Sequence, residues 1–406
     1  MRLSPLASLA SLASLLTGAL AVVATSTAHA DTPKRYIVQF QDTAVQAPPR
    51  GPVHDRRADE DPRGWGYVDS RVIERVQSTE SRHGIQALHA YSSVIKGFAA
   101  ALSDAQVARL KADPTVLSIE EDLPMHTTAQ TIPWGISTTR ATLSSTLAGD
   151  GSGTVSTVNV YVIDTGIAPH GELNKINHVN FTGDGKNTDC NGHGTHVSGT
   201  IGARDNTADV VGMAPAVALT GVKVLDCTGS GSTSTVIKGI DWVTANAVKP
   251  AVANMSLGGS ASTTLDAAVT KAVNAGIVFA IAAGNSAANA CNYSPARVGG
   301  SLAGAITTAA TDSANKEASF SNYGSCVDTW APGVSILSTY LNAGMATMSG
   351  TSMATPHVTG AAALYLSRNP NATPAAVEAA IKQAAVAPGT ASKDGRAITR
   401  LDVIGF

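Results

Sequence analysis

The chain has 406 residues, of which 44% are hydrophobic and 14% charged, and its formal net charge is −2. This composition is typical of a globular protein with one large domain and a smaller unit, and it excludes a disordered or fibrous chain. The near-neutral charge and the 4% content of aromatic residues argue against nucleic acid or an anionic membrane as a partner.

The first thirty residues have the pattern of a secretory signal peptide. Arg2 gives a short basic region, residues 6–23 are rich in Ala and Leu, and Ala28-His29-Ala30 fits the small-x-small rule for cleavage after Ala30. An uncleaved membrane anchor is the alternative, but Ser and Thr interrupt the apolar segment. No later stretch has the roughly eighteen apolar residues of a spanning helix, so we expect a secreted protein with no membrane partner.

Residues 31–126 predict a small α+β unit. Ser103 and Gln106 form a capping-box pattern at the start of a helix. Around that helix the pattern predicts a strand at 36–40, a polar Pro/Arg-rich insert at about 42–66, a charged helix at about 70–82, an extended stretch at 89–102 and a strand at 116–119.

From about residue 127 onward, apolar strands alternate with helices. The run at 158–163 is a buried strand that ends at Asp164. Alternating strands and helices predict an α/β fold, with a parallel β-sheet sandwiched by helices. Chemistry in such folds lies beyond the carboxyl ends of the strands. The further elements are strands at about 217–225, 252–257 and 277–283, and helices at about 234–247, 263–275 and 374–386.

Three motifs place reactive side chains at element boundaries. Asp164 ends a strand in Asp-Thr-Gly, His193 begins a small-residue helix in His-Gly-Thr-His, and Ser352 lies at the mouth of an apolar helix in Gly-Thr-Ser-Met-Ala-Thr-Pro-His. A serine nucleophile needs a base to take its proton, and a carboxylate can orient that base. Pro356 is tolerated because we expect it in the first turn of the helix.

Asn285 supplies a fourth component. It follows a strand in Ala-Ala-Gly-Asn, where its amide can donate, together with the N–H of Ser352, to a developing oxyanion. Taken singly, these residues have ordinary explanations: a turn aspartate or asparagine, a core histidine, or a serine N-cap. Their joint occurrence at strand ends and helix starts favours catalysis.

The chain has four cysteines, Cys190, Cys227, Cys291 and Cys326. In an exported protein an even number of cysteines predicts disulfides, and four of them allow three pairings among which the sequence does not choose. A zinc site is the alternative, which the absence of any Cys-x-x-Cys pair disfavours.

These motifs, in the order Asp, His, Ser, resemble those of the subtilisin-like serine proteases, the subtilases. The segments around the four cysteines are similar to those of the proteinase K branch, and especially of aqualysin-type bacterial enzymes. The resemblance covers about residues 130–406. Residues 31–126 resemble the inhibitory propeptide of the same family, the inhibitor I9 type.

The resemblance implies a residue-level assignment. It pairs Cys190 with Cys227 and Cys291 with Cys326, and it makes Asp164, His193 and Ser352 the triad with Asn285 as oxyanion donor. It places the substrate as an added strand between two segments and lines the pocket for the residue before the scissile bond. The implied substrate-binding residues are Gly229, Ser230, Gly231, Ser256, Leu257, Gly258, Gly259, Ala282, Ala283 and Gly284.

No cofactor is expected for catalysis, but structural calcium is. Asp184, Asp189 and Asp328 are its candidate ligands, since calcium takes oxygen ligands. The family also binds calcium through carboxylates after Trp134-Gly135, where this chain instead offers Arg140. An enlarged loop at 298–306 also departs from the second family site, which uses Asp328.

The sequence therefore predicts a secreted zymogen with a signal peptide at 1–30, a propeptide at 31–126 and a catalytic domain at 127–406. The monomeric endopeptidase acts on proteins and peptides after self-cleavage near 126–130, and its own propeptide is an intramolecular inhibitor. No acidic residue lies in the pocket segments, so an apolar or aromatic residue is expected before the scissile bond. The rivals are a non-catalytic peptide-binding protein, and an aminopeptidase or processing protease.

Overall fold

A computed structural model describes residues 33–45, 63, 65, 68–123 and 130–406. The expected signal peptide, most of the polar insert and residues 126–129 of the expected cleavage region lie outside these ranges. The chain divides into two compact units, Met1–His126 and Thr127–Phe406, which are described separately.

In the first unit a four-stranded antiparallel sheet packs against two helices. The order of its strands is β2-β3-β1-β4. The elements are β1 (Lys34–Phe40), α1 (Ser70–His83), β2 (Ala87–Tyr91), β3 (Gly97–Leu102), α2 (Asp104–Lys111) and β4 (Val116–Glu121).

The local signals of this unit are confirmed with one difference. Ser103 caps α2, and the capping box is closed in both directions because Gln106 accepts from the N–H of Ser103. The extended stretch expected at 89–102 is not one strand. It breaks into β2 and β3, which pair antiparallel as a hairpin, so that apolar residues such as Phe98 face the core between sheet and helices.

The second unit contains a seven-stranded sheet, in the order β13-β12-β10-β8-β5-β7-β6, whose pairings are all parallel. Its strands are β5 (Asn159–Asp164), β6 (Lys175–Asn180), β7 (Ala218–Lys223), β8 (Ala251–Met255), β10 (Val278–Ala282), β12 (Ala305–Thr311) and β13 (Thr329–Pro332). Two small antiparallel pairs join β9 (Gly259–Ser260) to β11 (Tyr293–Ser294) and β14 (Ile336–Thr339) to β15 (Met345–Met348).

Helices cover both faces of this sheet, as expected from the alternation. They are α3 (Trp134–Thr138), α4 (His193–Gly202), α5 (Thr233–Asn246), α6 (Thr263–Asn274), α7 (Thr351–Arg368) and α8 (Pro374–Ala384). Alternate residues of β5 enter different cores: Val160 and Val162 pack with α4 and α7, whereas Tyr161 and Ile163 pack with α5 and α6.

The carboxyl ends of the parallel strands lie at one edge of the sheet. β5 and β8 are neighbours, but the chain runs from β5 to β6 on one side and from β8 to β10 on the other, so a crevice forms beyond their carboxyl ends. Asp164 ends β5, while Ser256 follows β8 and Ala283 follows β10 at the same edge. Among the described residues, no helix combines the length and apolar character required to cross a membrane.

Candidate active site

Asp164 and His193 are in direct contact. The carboxylate of Asp164 is fully buried, and its Oδ1 accepts from the backbone N–H of Thr165 and from Nδ1 of His193, both at 2.7 Å. Burial of the His193 ring opposes protonation, but the charge and hydrogen bond of Asp164, with the charge of Asp189, outweigh it and raise the pKa of His193. The pair is therefore a carboxylate-oriented imidazole of raised basicity.

The start of α4 fixes the imidazole. Gly192 precedes His193 with a φ of 101°, a conformation that favours glycine, and a Cβ there would lie 2.3 Å from the ring of Tyr340. Tyr340 donates its hydroxyl hydrogen to the carbonyl of Asn191 at 3.0 Å. Tyr340 and the turn at Asn191 and Gly192 thus hold His193 at the mouth of the crevice.

Ser352 is the second residue of α7, and its Oγ donates to the carbonyl of Ser256 at 3.1 Å. The expectation for Pro356 was wrong in one respect: α7 begins at Thr351, so this proline is the sixth helical residue and lies beyond the first turn. Pro356 has no N–H for the carbonyl of Ser352, and the hydroxyl of Ser256 donates to that carbonyl at 2.9 Å.

Asn285 lies beside the same helix start. Its Oδ1 accepts from the N–H and the hydroxyl of Thr351, at 2.8 and 3.0 Å, which leaves its Nδ2 on the other side. A Cβ built on Gly350 would be 3.5 Å from Asn285 Nδ2 and 3.6 Å from the backbone nitrogen of Ser352. Two N–H donors therefore border one small space next to Ser352.

Two neighbouring cavities form the cleft, and together they take in every residue expected to bind substrate. The first, of about 440 Å³, is lined by His193 and by Gly229, Ser230, Gly231, Ser256, Leu257 and Gly258. The second, of about 300 Å³, is lined by Ser352 and Asn285 and by Leu257, Gly258, Gly259, Ala282, Ala283 and Gly284. None of the described residues that line the second cavity is acidic.

Sequence reasoning missed Asn322, which also lines the second cavity. Its Oδ1 accepts from the N–H groups of Ser286 and Ala288, and its Nδ2 donates to the carbonyl of Ala283 at 2.8 Å. Asn322 thereby shapes the loop that carries Asn285. No local pattern marks it, because its partners are more than thirty residues away along the chain.

Both disulfides are present in the pairing that the resemblance implied. Cys190 is bonded to Cys227 and Cys291 to Cys326, with Cα–Cα distances of 4.9 and 5.4 Å. Asp184 lies close to the first pair, but disulfide sulfurs are not thiolates, so this group does not make a metal site. The alternative of a cysteine zinc site was therefore wrong.

Asp189 does not fit a calcium ion. Its Oδ1 accepts from the hydroxyl of Thr165 and from the N–H groups of Asn191 and Gly192, and its Oδ2 accepts from the N–H and hydroxyl of Thr195. Calcium requires oxygen lone pairs, and donors already fill these. Instead of binding metal, Asp189 secures the start of α4.

Asp184 fails the same test. Its Oδ1 accepts from Nδ2 of Asn180 and from the N–H of Lys186, and its Oδ2 lies 3.3 Å from the buried ammonium of Lys223. These hydrogen bonds outweigh the effect of desolvation and lower the pKa of Asp184. The expectation of calcium at Asp184 is corrected to an ion pair with Lys223.

Asp328 is also occupied by an internal cation. Its Oδ1 is 2.7 Å from Nζ of Lys382, which also pairs with Glu378, and the N–H groups of Gly300 and Thr307 point at the carboxylate. Gly300 in the enlarged loop thus presents an N–H group to Asp328, whereas a calcium ion requires oxygen ligands. Near the start of the unit, Arg140 is similarly paired with the buried Asp402 at 2.6 Å.

Lys382→Met is expected to destabilise the protein by about 2 kcal/mol. It leaves the buried carboxylates of Asp328 and Glu378 without their cation, and the partial exposure of the lysine moderates the loss. Urea unfolding of the purified protein measures the effect, with the exposed Lys271 changed to Met as the control. Equal midpoints for the two variants would contradict the ion-pair interpretation.

Two further histidines are buried beside the site. Nε2 of His196 bonds to the carbonyls of Ile336 and Ala346, which join it to β14 and β15, and Nδ1 of His357 bonds to the carbonyl of Met353. Burial lowers the pKa of each histidine to about 4. These contacts give both rings a structural role.

Stability is expected to fall as the pH drops from 6.5 towards 4. The pKa values of His196 and His357 are lower in the folded protein than in the unfolded chain, so the unfolded chain binds protons first as the pH falls. Below both the unfolded and the folded pKa, each histidine has lowered the free energy of unfolding by about 3 kcal/mol. Thermal unfolding of the protein at a series of pH values measures the loss. His357→Gln should flatten the curve, and a curve as steep as that of the unchanged protein would contradict this explanation.

Comparisons with known proteins agree on one family. The model described as "Subtilase family" matches residues 155–401, and that described as "Peptidase inhibitor I9" matches residues 35–128. An extracellular serine proteinase of Thermus sp. (strain Rt41A) is 44% identical over 369 residues, which cover 86% of this chain and 84% of that protein.

Two further similarities have different coverage. Alkaline serine exoprotease A of Vibrio alginolyticus is 46% identical over 321 residues, 74% of this chain and 57% of that protein. The crystal structure of a cold adapted subtilisin-like serine proteinase matches with a TM-score of 0.60 and 42% identity, over 69% of this chain and all of that one (100%).

Fold, cleft and relatives together define a serine endopeptidase with a subtilisin-like fold. The chain belongs to the subtilase family, and an inhibitor I9 propeptide region precedes its peptidase domain.

Proposed function

We propose that Asp164, His193 and Ser352 are the catalytic triad of this endopeptidase. The observation that carries the proposal is the 2.7 Å hydrogen bond between His193 Nδ1 and Asp164 Oδ1, which fixes the tautomer that leaves Nε2 as the base. Nε2 takes the proton of Ser352 Oγ as that oxygen attacks the peptide carbonyl. The same proton then goes to the departing amine, and water hydrolyses the acyl-enzyme by the reverse steps.

Stabilisation of the oxyanion is assigned to Asn285 and Ser352. The amide of Asn285 and the N–H of Ser352 border the space beside Gly350, and the start of α7 adds the positive end of its dipole. No metal or other cofactor takes part in this scheme.

The substrate is a protein or peptide segment that adds as a strand between two segments of the first cavity, 229–231 and 256–258. Its side chain before the scissile bond enters the second cavity, between Leu257–Gly259 and Ala282–Gly284. Small and apolar walls without an acidic residue support an apolar or aromatic preference there and disfavour dibasic processing.

We expect kcat/KM to fall on the acid side with a midpoint above pH 6.5. Asp164 raises the pKa of His193, and the protonated ring cannot act as a base. Initial rates on a peptide anilide between pH 5 and 9 measure the limb. A midpoint below pH 6.5 would contradict the raised pKa and the role of His193.

The precursor is proposed to mature in two cuts. Removal of residues 1–30 exports the chain, and self-cleavage near residue 126 separates the propeptide at 31–126 from a monomeric enzyme at 127–406. The match of inhibitor I9 to residues 35–128 and the similarity to an extracellular serine proteinase support this sequence of events. Sequencing the N-terminus of the secreted protein tests it, and a mature protein that begins at Asp31 would refute it.

A fluorophosphonate probe tests the nucleophile. The secreted protein is labelled, digested and mapped by mass spectrometry, while a parallel sample is incubated with casein. We expect the phosphonyl group on Ser352 and loss of caseinolysis in proportion to labelling. A label on another residue would reject the triad, and an unlabelled, inactive protein would favour the rival peptide-binding function.

A further inference from the structure

The carbonyl of Ser352 has lost its helical hydrogen bond. Its donor would be the N–H four residues on, which is Pro356, and proline has none. The hydroxyl of Ser256, whose residue is 3% exposed, donates to this carbonyl at 2.9 Å. A side chain that follows β8 therefore supplies the hydrogen bond that α7 lacks at this carbonyl.

Buried hydrogen bonds fix the direction of that hydroxyl. Thr359 Oγ1 donates to Asn254 Oδ1 at 2.8 Å, so the amide nitrogen of Asn254 faces Ser256 and donates to its Oγ at 3.0 Å. Because Oγ of Ser256 accepts there, its own hydrogen is available for the carbonyl of Ser352. Asn254 and Thr359 are fully buried, so water does not compete for these bonds.

Ser256 and Ser352 are hydrogen bonded to each other in both directions. While Ser256 Oγ donates to the carbonyl of Ser352, Ser352 Oγ donates to the carbonyl of Ser256 at 3.1 Å. The bond from Ser256 Oγ holds the backbone of Ser352. The bond from Ser352 Oγ must break when this hydroxyl rotates towards His193.

We infer that the side chain of Ser256, directed by Asn254 and Thr359, is a positioning residue for Ser352 that compensates for Pro356. This rests on the proposed role of Ser352 as nucleophile. Ser256 is 3% exposed, and its hydroxyl is engaged by the amide of Asn254 and the carbonyl of Ser352, so its loss should affect the rate of attack more than substrate binding.

Four variants test the coupling: Ser256→Ala, Pro356→Ala, the double variant Ser256→Ala/Pro356→Ala, and Ser352→Ala. On a peptide anilide with an apolar residue before the anilide, Ser256→Ala should lower kcat about tenfold and change KM by less than about twofold. In the Pro356→Ala background, the new N–H reaches the carbonyl of Ser352. Removing the Ser256 hydroxyl should then cost less than about twofold.

The loss of kcat caused by Ser256→Ala is compared between the Pro356 and the Pro356→Ala backgrounds. An equal loss of kcat in both backgrounds, or a loss confined to KM, would overturn the inference and leave Ser256 a structural residue. If Ser352→Ala remains active, it is the proposed nucleophile that fails. Should Ser256→Ala not be secreted, Thr359→Val provides the same comparison, with about a threefold loss of kcat when Pro356 is present and none in the Pro356→Ala background. Equal losses there would also overturn the inference.

Discussion

Ser352→Ala is expected to lower kcat by about six orders of magnitude, as loss of the nucleophile does in subtilisin. The change removes one oxygen at the second position of α7. It leaves the N–H groups of Asn285 and of residue 352 in place. A residual acceleration of about 10³-fold over water should survive, because oxyanion stabilisation and binding do not need the hydroxyl.

The precursor gives the clearest readout of this variant. Without a nucleophile the self-cleavage near residue 126 stops, so we expect secreted protein that still carries the propeptide. Its kcat is measured on a peptide anilide after limited trypsin digestion has removed the propeptide. Ser367→Ala, at the other end of α7, is the matched control and should mature and cleave normally. A processed, fluorophosphonate-labelled Ser352→Ala protein would contradict the assignment.

The sequence predicted the elements whose apolar runs are complete. β5, β7, β8 and β10 are almost wholly buried strands, and their positions were predicted within a few residues. β6 was missed because it is an edge strand with polar residues and only partly buried positions. β12 was missed because its seven residues are Ala, Ile and Thr, a composition that a loop shares.

In the candidate site, too, some residues could be predicted from the sequence and others could not. Residues whose chemistry is carried by a local motif, such as Asp164 and His193, are brought together by the structure as expected. Asp328 does not fit a calcium ion because partners distant in sequence decide the state of a carboxylate: Lys382 is 54 positions from Asp328 and lies on α8. No window of sequence around Asp328 contains that information.

Pro356 shows what an error in the predicted start of a helix can hide. The motif identified a serine at a helix mouth, but where the helix begins determines which carbonyl the proline leaves without a donor. The start at Thr351 makes that carbonyl the one belonging to Ser352 itself, and the partner that replaces the lost bond comes from the end of β8. Boundaries of elements are the least certain part of sequence reasoning, and here one turn changes the chemistry.

Asp164→Asn is expected to lower kcat about 10⁴-fold near neutral pH, with KM almost unchanged. The side chain keeps its size at the end of β5, but Oδ1 of Asp164 faces both Thr165 and His193, so an amide nitrogen turned to His193 gives up the bond from Thr165. Its amide, if turned to His193, donates to Nδ1 and forces the proton onto Nε2, which then cannot take the proton of Ser352. The variant therefore separates the orientation of the base from the packing of the strand end.

The pH profile distinguishes this mechanism from general damage. Loss of the Asp164 charge removes the main influence that raises the pKa of His193, so the acid limb of kcat/KM should move to lower pH as the rate falls. Asp312→Asn, in a turn where the carboxylate accepts from the N–H groups of Ala314 and Lys316, is the control and should keep both rate and profile. A loss of less than about tenfold, or an unmoved acid limb, would mean that Asp164 does not orient the base.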